Sequence, residues 1–184
     1  MAFTPATFRR ATIAVTGTAV ALGALPVAAA ATPSPVSHAQ VSSTKADRAK
    51  LKRIAARERA NRKRASLVRV ALNQKGERYV AGASGPNRFD CSGFTMYVYK
   101  KATGRYLPHY SGAQMRKAKR VSRKNLKPGD LLFFGPGGSQ HVSMYIGKGK
   151  MIHATNPRSG VRIDSINMGY YKARYAGAGR IIQG

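Results

Sequence analysis

The sequence predicts an α+β fold for residues 65–184, with N-terminal helices packed on an antiparallel β-sheet. Two observations support this class. The first half of the segment has apolar residues at helical spacing and glycines where helices would end. The second half, from Leu131 onward, has short apolar runs separated by turn residues, as in strands joined by hairpins. A segment of this length can bury one modest core.

Three helices are expected ahead of the sheet. The first is expected over residues 66–76, with a serine able to cap its start and a glycine able to end it. The second begins at Asp90 or Cys91 and stops at Gly104. A third, short helix is expected over residues 112–119. The sheet would then cover the apolar faces of these helices.

Five strand segments follow the helices. The stretch "LKPGDLLFF" is a Pro-Gly-Asp turn that leads into an apolar strand. The stretches "HVSMYIG" and "KMIHA" indicate a hairpin with a three-residue loop at 147–149. The stretches "GVRID" and "AGRII" are the remaining strand candidates.

The N-terminus has the layout of a secretory signal peptide over residues 1–30. Arg9 and Arg10 precede an apolar run that ends in a string of alanines. We expect cleavage near Ala30, and no stable membrane span after it. An uncleaved membrane anchor is the alternative, although the run is short for a membrane span.

Residues 31–64 are expected to form a linker followed by a basic arm. The linker is rich in Pro, Ser and Thr. Residues 45–64 carry ten basic and two acidic side chains and almost no apolar face, which predicts a solvated helix or a disordered arm. The whole chain has a formal net charge of +27 and attracts polyanions. For an exported protein this favours anionic cell-wall polymers or a membrane surface over nucleic acid.

Cys91 is the single cysteine of the chain, so no disulfide can form within it. Asp90 is a good N-cap and would place Cys91 in the first turn of a helix. A helix N-terminus and a neighbouring histidine both lower the pKa of a thiol. The backbone N–H groups at such a position can also stabilise an oxyanion. These features make Cys91 a candidate nucleophile.

Two of the four histidines lie on the predicted hairpin. With a loop at 147–149, His153 faces Ser143, and His141 is its diagonal neighbour on the same face of the sheet. A helix-start cysteine packed over both histidines would supply a nucleophile, a base and an orienting group. The alternatives are ordinary polar histidines at a sheet edge, or a Cys/His zinc site that lacks a natural fourth ligand.

Five blocks of the sequence occur together and in order: "GERYVAG", "FDCSGF", "LPHYSGAQ", "LKPGDLLFF" and "HVSMYIGKGKMIHA". The set resembles the NlpC/P60 family of cell-wall cysteine peptidases over roughly residues 65–184. The resemblance implies a papain-like α+β domain. It also implies Cys91 as the nucleophile, His141 as the general base and His153 as the group that orients His141.

The resemblance further implies a set of substrate-binding side chains, of which the aspartate would hold a substrate ammonium group: Tyr79, Asp90, Ser92 and Ser111. It implies neither a metal nor an organic cofactor. Two positions depart from the family pattern. The segment after the tyrosine is "YVAGAS", without the usual tryptophan, and His109 replaces a common arginine. No catalytic role is expected for His109.

The resemblance implies a secreted or wall-associated peptidoglycan hydrolase that cuts stem peptides, commonly beside γ-D-glutamyl. Two other functions remain open at this point. One is an amidase or acyltransferase that acts on another amide or ester. The other is a non-catalytic module that binds the wall through its positive charge. The oligomeric state does not follow from the sequence.

Overall fold

The structure is a computed structural model and describes residues 44–183. The predicted signal peptide and most of the predicted linker lie outside this range. Four α-helices are present among the described residues: α1 (Lys45–Leu72), α2 (Cys91–Thr103), α3 (Ser111–Lys117) and α4 (Gly169–Ala173). Two short 3₁₀ turns lie at Arg123–Asn125 and Pro136–Gly138. No helix within residues 44–183 is long and apolar enough to cross a membrane.

The strands form one antiparallel sheet, as the sequence predicts, but the sheet has six strands and includes one, Lys119–Val121, that was not expected. They are β3 (Lys119–Val121), β4 (Leu131–Phe134), β5 (His141–Gly147), β6 (Lys150–Ala154), β7 (Val161–Ser165) and β8 (Tyr175–Arg180). Their order across the sheet is β3-β8-β4-β5-β6-β7. The two-residue strands β1 (Arg78–Tyr79) and β2 (Arg88–Phe89) form a separate parallel pair.

The sheet carries apolar residues on both faces. Within β4, Leu131 and Phe133 belong to the larger core, whereas Leu132 and Phe134 belong to a smaller cluster on the opposite face. Successive side chains of a strand point to opposite faces, so this alternation requires cover on both sides. Helices α1 and α2 contribute to the larger core, and Tyr171 of α4 contributes to the smaller one.

Helix α1 corrects the expected start of the first helix. It begins at Lys45, not at Ser66, because Thr44 and Asp47 form a capping box at its start. Residues 45–59 are exposed throughout, as a solvated basic helix should be. The buried positions begin at Ala60 and continue along one face to Ala71. The helix is therefore continuous through the expected boundary between arm and domain.

A buried ion cluster holds α1 against the sheet. Asp130 is fully buried and accepts hydrogen bonds from Arg180 at 2.8 and 2.7 Å. Arg64 lies 3.4 Å from the same carboxylate and also donates to the backbone oxygen of Ile182. The carboxylate of Asp130 additionally caps its own turn by accepting from the N–H of Lys127. Arg64, which the sequence assigns to the solvated arm, is thus part of the folded domain.

The β5–β6 hairpin has the predicted register but a different turn. Met144 pairs with Ile152 and Tyr145 with Met151, as the predicted pairing requires. The closing pair is Gly147 with Lys150, and an irregularity precedes it. Both turn residues between this pair have positive φ, which is typical of a tight two-residue hairpin turn. The extra residue in β5 compensates for the shorter turn, so the register further along is unchanged.

Three other expectations differ in detail. The third helix covers 111–117 rather than 112–119, and its last predicted residue begins β3. The final strand is Tyr175–Arg180, so most of "AGRII" lies at its end or beyond it. The short elements α4, β1, β2 and β3 were not expected from the sequence, because segments of two to five residues are too short to show a period.

Candidate active site

Cys91 is the first residue of α2, as the sequence predicts. The Asp90 side chain accepts from the backbone N–H of Gly93 at 2.7 Å and caps the helix. Gly104 ends the helix in the left-handed conformation. This cap fixes the thiol at the helix start, where backbone N–H groups lie without intrahelical partners.

The two predicted histidines are in contact. Nε2 of His141 and Nδ1 of His153 are 2.7 Å apart. His153 is fully buried and His141 is partly buried. The second ring nitrogen of His153, Nε2, lies 3.0 Å from Oδ2 of Asp164. The three side chains therefore form a continuous hydrogen-bonded chain.

Asp164 was not identified from the sequence. Its other carboxylate oxygen, Oδ1, accepts from Nε and Nη2 of Arg162 at 2.9 and 2.5 Å. Asp164 lies in "GVRID", which was assigned only as a strand. The available signal was composition, since an aspartate within a predicted strand of a chain with only six acidic residues is a candidate for a specific partner.

The carboxylate determines which ring nitrogens carry protons. An ionised Asp164 can only accept, so Nε2 of His153 donates to it and Nδ1 of neutral His153 is an acceptor. Nε2 of His141 must then donate to that nitrogen. This leaves Nδ1 of neutral His141 as an unprotonated nitrogen. A base is thereby produced by a chain of hydrogen bonds that starts at Asp164.

The histidines lie on the face of the sheet opposite α2, which corrects the expectation that Cys91 packs over them. Val142 and Ile152, their neighbours in sequence, point into the core beneath α2. The rings of His141 and His153 instead contact Tyr171, with centroids 6.0 and 5.1 Å away. His141 is the first residue of β5, and Cys91 and His141 line the same cavity.

Burial keeps the resting thiol and imidazoles neutral. It raises the pKa of Cys91, although the N–H groups of Val142, Ser92 and Cys91 itself partly oppose this. Burial, together with a smaller contribution from the neighbouring His153, lowers the pKa of His141 to about 3. Burial also lowers the pKa of His153 to about 4, against its bond to Asp164. The raised pKa of Cys91 is opposite in direction to the change expected from a helix N-terminus and a neighbouring histidine.

Cys91 and His141 line one cavity of about 450 Å³. The other residues that line it are Tyr79, Gln140, Thr155, Asn156, Arg162, Asp164, Met168, Tyr170 and Tyr171. A second groove of about 560 Å³ lies along α1 and contains none of these side chains. The cavity at Cys91 is thus the one where the candidate nucleophile and base meet.

Of the four substrate-binding side chains suggested by the resemblance, Tyr79 lines this cavity. Burial raises its pKa, and the nearby Cys91 and Asp90 raise it further. Ser92 and Ser111 are buried, and neither is among the residues that line the cavity.

The carboxylate of Asp90 accepts four hydrogen bonds. Oδ1 accepts from Gly93 and from the hydroxyl of Ser92, the latter at 3.1 Å. Oδ2 accepts from the backbone N–H of Gly82 at 2.9 Å and lies 2.8 Å from Nε2 of His109. A carboxylate offers about four acceptor positions, so these four contacts occupy them. His109, for which no catalytic role was expected, therefore belongs to the surroundings of the nucleophile.

The ring nitrogens leave little capacity for a metal ion. Three of the four nitrogens of His141 and His153 already take part in the hydrogen-bonded chain. Within residues 44–183, no group of three or more histidine, cysteine, aspartate or glutamate side chains is arranged to hold a metal.

An α+β domain with a helix-start cysteine, a strand-borne histidine pair and a buried carboxylate is the arrangement of a cysteine-dependent hydrolase or acyltransferase. The profile of the NlpC/P60 family matches residues 76–180. The chain belongs to the NlpC/P60 family, as its sequence blocks suggest.

Relatives agree with this assignment. The chain is 43% identical over 116 residues to a protein named probable endopeptidase p60 from Listeria welshimeri, a match that covers 62% of this chain and 22% of that protein. It is 41% identical over 109 residues to the Escherichia coli K12 protein named murein DD-endopeptidase MepS/murein LD-carboxypeptidase, covering 59% of this chain and 57% of that one.

The solved structure of the peptidoglycan hydrolase RipB from Mycobacterium tuberculosis is similar in fold. It superposes with a TM-score of 0.61 at 29% identity, covering 70% of this chain and 69% of that one. The NlpC/P60 fold is therefore shown for the part of the chain that this superposition covers. The chain spans only about a fifth of the Listeria protein's length, so the similarity concerns this domain.

Proposed function

We propose that this protein is an exported peptidoglycan hydrolase, a cysteine endopeptidase that cleaves an amide bond in cell-wall stem peptides. The observation that carries the proposal is the hydrogen-bonded chain from Asp164 through His153 to His141, beside Cys91 in one cavity. The names of the relatives, which are endopeptidases and peptidoglycan hydrolases, supply the substrate class. Cleavage beside γ-D-glutamyl is the expected specificity.

Acylation begins from the neutral pair. Substrate binding brings the scissile carbonyl to Cys91 and displaces water from the cavity. Nδ1 of His141 accepts the thiol proton as the sulfur attacks the carbonyl carbon. The backbone N–H groups of Cys91 and Ser92 face the sulfur, so they are well placed to stabilise the negative oxygen of the tetrahedral intermediate.

Collapse of the intermediate requires a proton on the leaving amine. The imidazolium of His141 donates it, the C–N bond breaks, and the acyl group remains on the sulfur as a thioester. Water then attacks the thioester, with His141 accepting its proton, and the thiol is regenerated. His153 and Asp164 stabilise the transient imidazolium and hold its ring in place, in the manner of the third member of a triad.

Tyr79, Asp90, Ser92 and Ser111 are proposed to act on the substrate in different ways. Tyr79 can contact the peptide directly, because it lines the cavity. Asp90 can hold a substrate ammonium group only if that group replaces one of its four present donors, of which the partly exposed His109 is the most easily displaced. The two buried serines are proposed to support the helix starts that shape the site.

The exposed part of α1 is proposed to bind anionic wall polymers. Residues 45–59 carry seven basic and two acidic side chains and are exposed on every face. A helix of this kind contributes long-range attraction that salt screens over about 8 Å at physiological ionic strength. The location proposed for the protein, outside the cell at the wall, agrees with this partner and with the signal-like residues 1–30.

Incubation with purified cell wall tests the proposal. Mass spectrometry of the released fragments should show new termini at one amide bond, and Cys91→Ala should release none while still sedimenting with the wall. Release by Cys91→Ala at the wild-type rate would refute the mechanism. Wall binding without release by either protein would instead support a non-catalytic module.

A further inference from the structure

The cavity contains one side chain with free cationic hydrogen-bond donors, Arg162. Apart from Arg162 and Asp164, the residues that line the cavity carry no fixed charge. The side chain of Asp164 is only 6% exposed and already accepts from Arg162 and His153. The side chain of Arg162 is 44% exposed. A ligand in the cavity therefore meets the positive member of this pair.

The pairing with Asp164 orients the guanidinium without exhausting it. A guanidinium has five N–H donors in a fixed plane. Asp164 takes one from Nε and one from Nη2, so Nη1 and the second N–H of Nη2 are free to bind another group. Because two bonds already fix the plane, little side-chain entropy is lost when a second anion binds.

A neighbouring amide adds a further donor. Asn156 also lines the cavity, and its Oδ1 accepts from the backbone N–H groups of Arg158 and Ser159. That bonding directs the amide nitrogen away from its own loop. Arg162 and Asn156 together present donors and no unpaired acceptor, which is the arrangement that suits a carboxylate.

The register of the sheet gives the distance between Arg162 and His141. Arg162 pairs across the sheet with His153, and β6 lies between β5 and β7. Two strand spacings separate β7 from the strand of His141, about 10 Å. His141 also lies two residues along β5 from the position opposite His153, so the Cα atoms of Arg162 and His141 are about 12 Å apart. An extended peptide advances about 3.3–3.6 Å per residue, so this distance corresponds to about three to four residues. In the proposed binding mode the leaving portion runs from His141, which protonates the leaving amine, toward β7.

From these contacts we propose that Arg162 and Asn156 form a carboxylate-binding subsite for the leaving portion of the substrate. The inference rests on the proposed function, whose peptide substrate it makes more specific: the favoured substrates carry a free carboxylate within about three to four residues of the cleaved bond. Peptides in which that carboxylate is a carboxamide bind poorly. Arg162 acts here as a specificity determinant, separately from its contact with Asp164.

Binding to protein that cannot turn over tests the subsite. In the Cys91→Ala background, calorimetry would compare a synthetic γ-D-glutamyl peptide that has a carboxylate in its leaving portion with the same peptide bearing a carboxamide there. A charge-assisted pair of hydrogen bonds predicts about 10- to 100-fold tighter binding of the carboxylate form. Adding Arg162→Gln should remove this preference, and Arg162→Lys should retain part of it.

Three controls make the result specific. Arg116→Gln removes an exposed positive charge of α3 outside the cavity and should leave the preference unchanged. Amidation of a carboxylate on the acyl side should affect the parent and Arg162→Gln proteins equally. The carboxamide peptide should bind both proteins alike, which shows that the cavity is intact.

Two results would overturn the inference: equal binding of the two peptides by the parent Cys91→Ala protein, or an undiminished preference in Arg162→Gln. Failure of the proposed function would be seen elsewhere, as the absence of wall hydrolysis by the wild-type enzyme.

Discussion

Replacing Asp164 with asparagine should exchange the protonated and unprotonated ring nitrogens of His153 and His141 while preserving the shape of the active site. The carboxylate of Asp164 has two acceptor oxygens, one for Arg162 and one for His153. An asparagine has only one. The guanidinium presents two donors at 2.9 and 2.5 Å and would take the amide oxygen, because the opposite orientation places donors against donors.

The amide nitrogen would then face Nε2 of His153 and donate to it. His153 must respond by carrying its proton on Nδ1, and Nε2 of His141 becomes an acceptor. Neutral His141 consequently carries its proton on Nδ1, the nitrogen that should accept from Cys91. The base is blocked although every side chain stays in position.

The expected loss of kcat can be judged from other enzymes in which a substitution places the histidine proton on the wrong ring nitrogen. Substitution of a triad aspartate by asparagine lowers kcat by about 10⁴ in serine proteases. One more imidazole separates Asp164 from the base, so we expect a loss of about 10²–10⁴ in kcat with little change in KM. The free energy of unfolding should fall by only about 1–3 kcal/mol, since the bond to His153 becomes a neutral one and the ion pair lost with Arg162 is partly exposed.

Steady-state hydrolysis of the carboxamide peptide is the suitable assay, because the subsite at Arg162 then has no part in binding. The matched control is Arg162→Leu. Alone it should retain at least about a tenth of wild-type kcat. Combined with Asp164→Asn it should restore activity by about tenfold or more, because the amide oxygen is released to accept from His153. Wild-type kcat in Asp164→Asn, or an additive loss in the double variant, would refute the assignment of protons to the ring nitrogens of His153 and His141.

Four other expectations concern the thiol, the histidines and helix α1. Because burial raises the pKa of Cys91, alkylation by iodoacetamide should accelerate only in the alkaline range, and rapid reaction near pH 6 would show a thiolate–imidazolium pair instead. The two active-site histidines have pKa values of about 3 and about 4 when folded, against 6.5 in an unfolded chain, so the unfolded state binds more protons below pH 6.5. The free energy of unfolding should therefore fall by up to about 2.7 kcal/mol per pH unit from 6.5 toward 4, and urea titrations without such a slope would contradict their burial as neutral rings. Arg64→Met should lower the free energy of unfolding by about 1–3 kcal/mol, because it removes a cation from a buried carboxylate, and a thermal melting temperature equal to wild type would show the pair to be unimportant. Deletion of residues 32–59 should leave kcat on a soluble peptide unchanged and weaken salt-sensitive wall binding, whereas faster peptide cleavage would indicate an inhibitory arm.

The sequence was sufficient for the parts of the fold that have a clear period or cap. Asp90, Cys91 and Gly104 delimit α2 as expected, because N-cap and C-cap preferences are local. The hairpin register that brings His141 beside His153 followed from counting back from the turn, and it survived an error in the turn itself because a bulge compensated.

The features missed depend on long-range contacts. Asp164 joins the histidines only because β7 pairs with β6, and no local pattern marks that register. The sequence left open whether residues 45–64 are helical, because a basic stretch without an apolar face gives no amphipathic signal. The continuity of α1 from Lys45 to Leu72 was therefore missed. The burial that keeps the Cys91 thiol neutral likewise depends on residues distant in sequence.

The central claim is that Cys91, activated through His141, cleaves stem-peptide amides, and counting new amino groups on purified cell wall tests it most directly. Wild-type protein should generate new amino groups continuously. Cys91→Ala and His141→Ala should each generate them at least about 10³-fold more slowly, with unchanged circular dichroism. Amine release by folded Cys91→Ala at the wild-type rate would contradict the account.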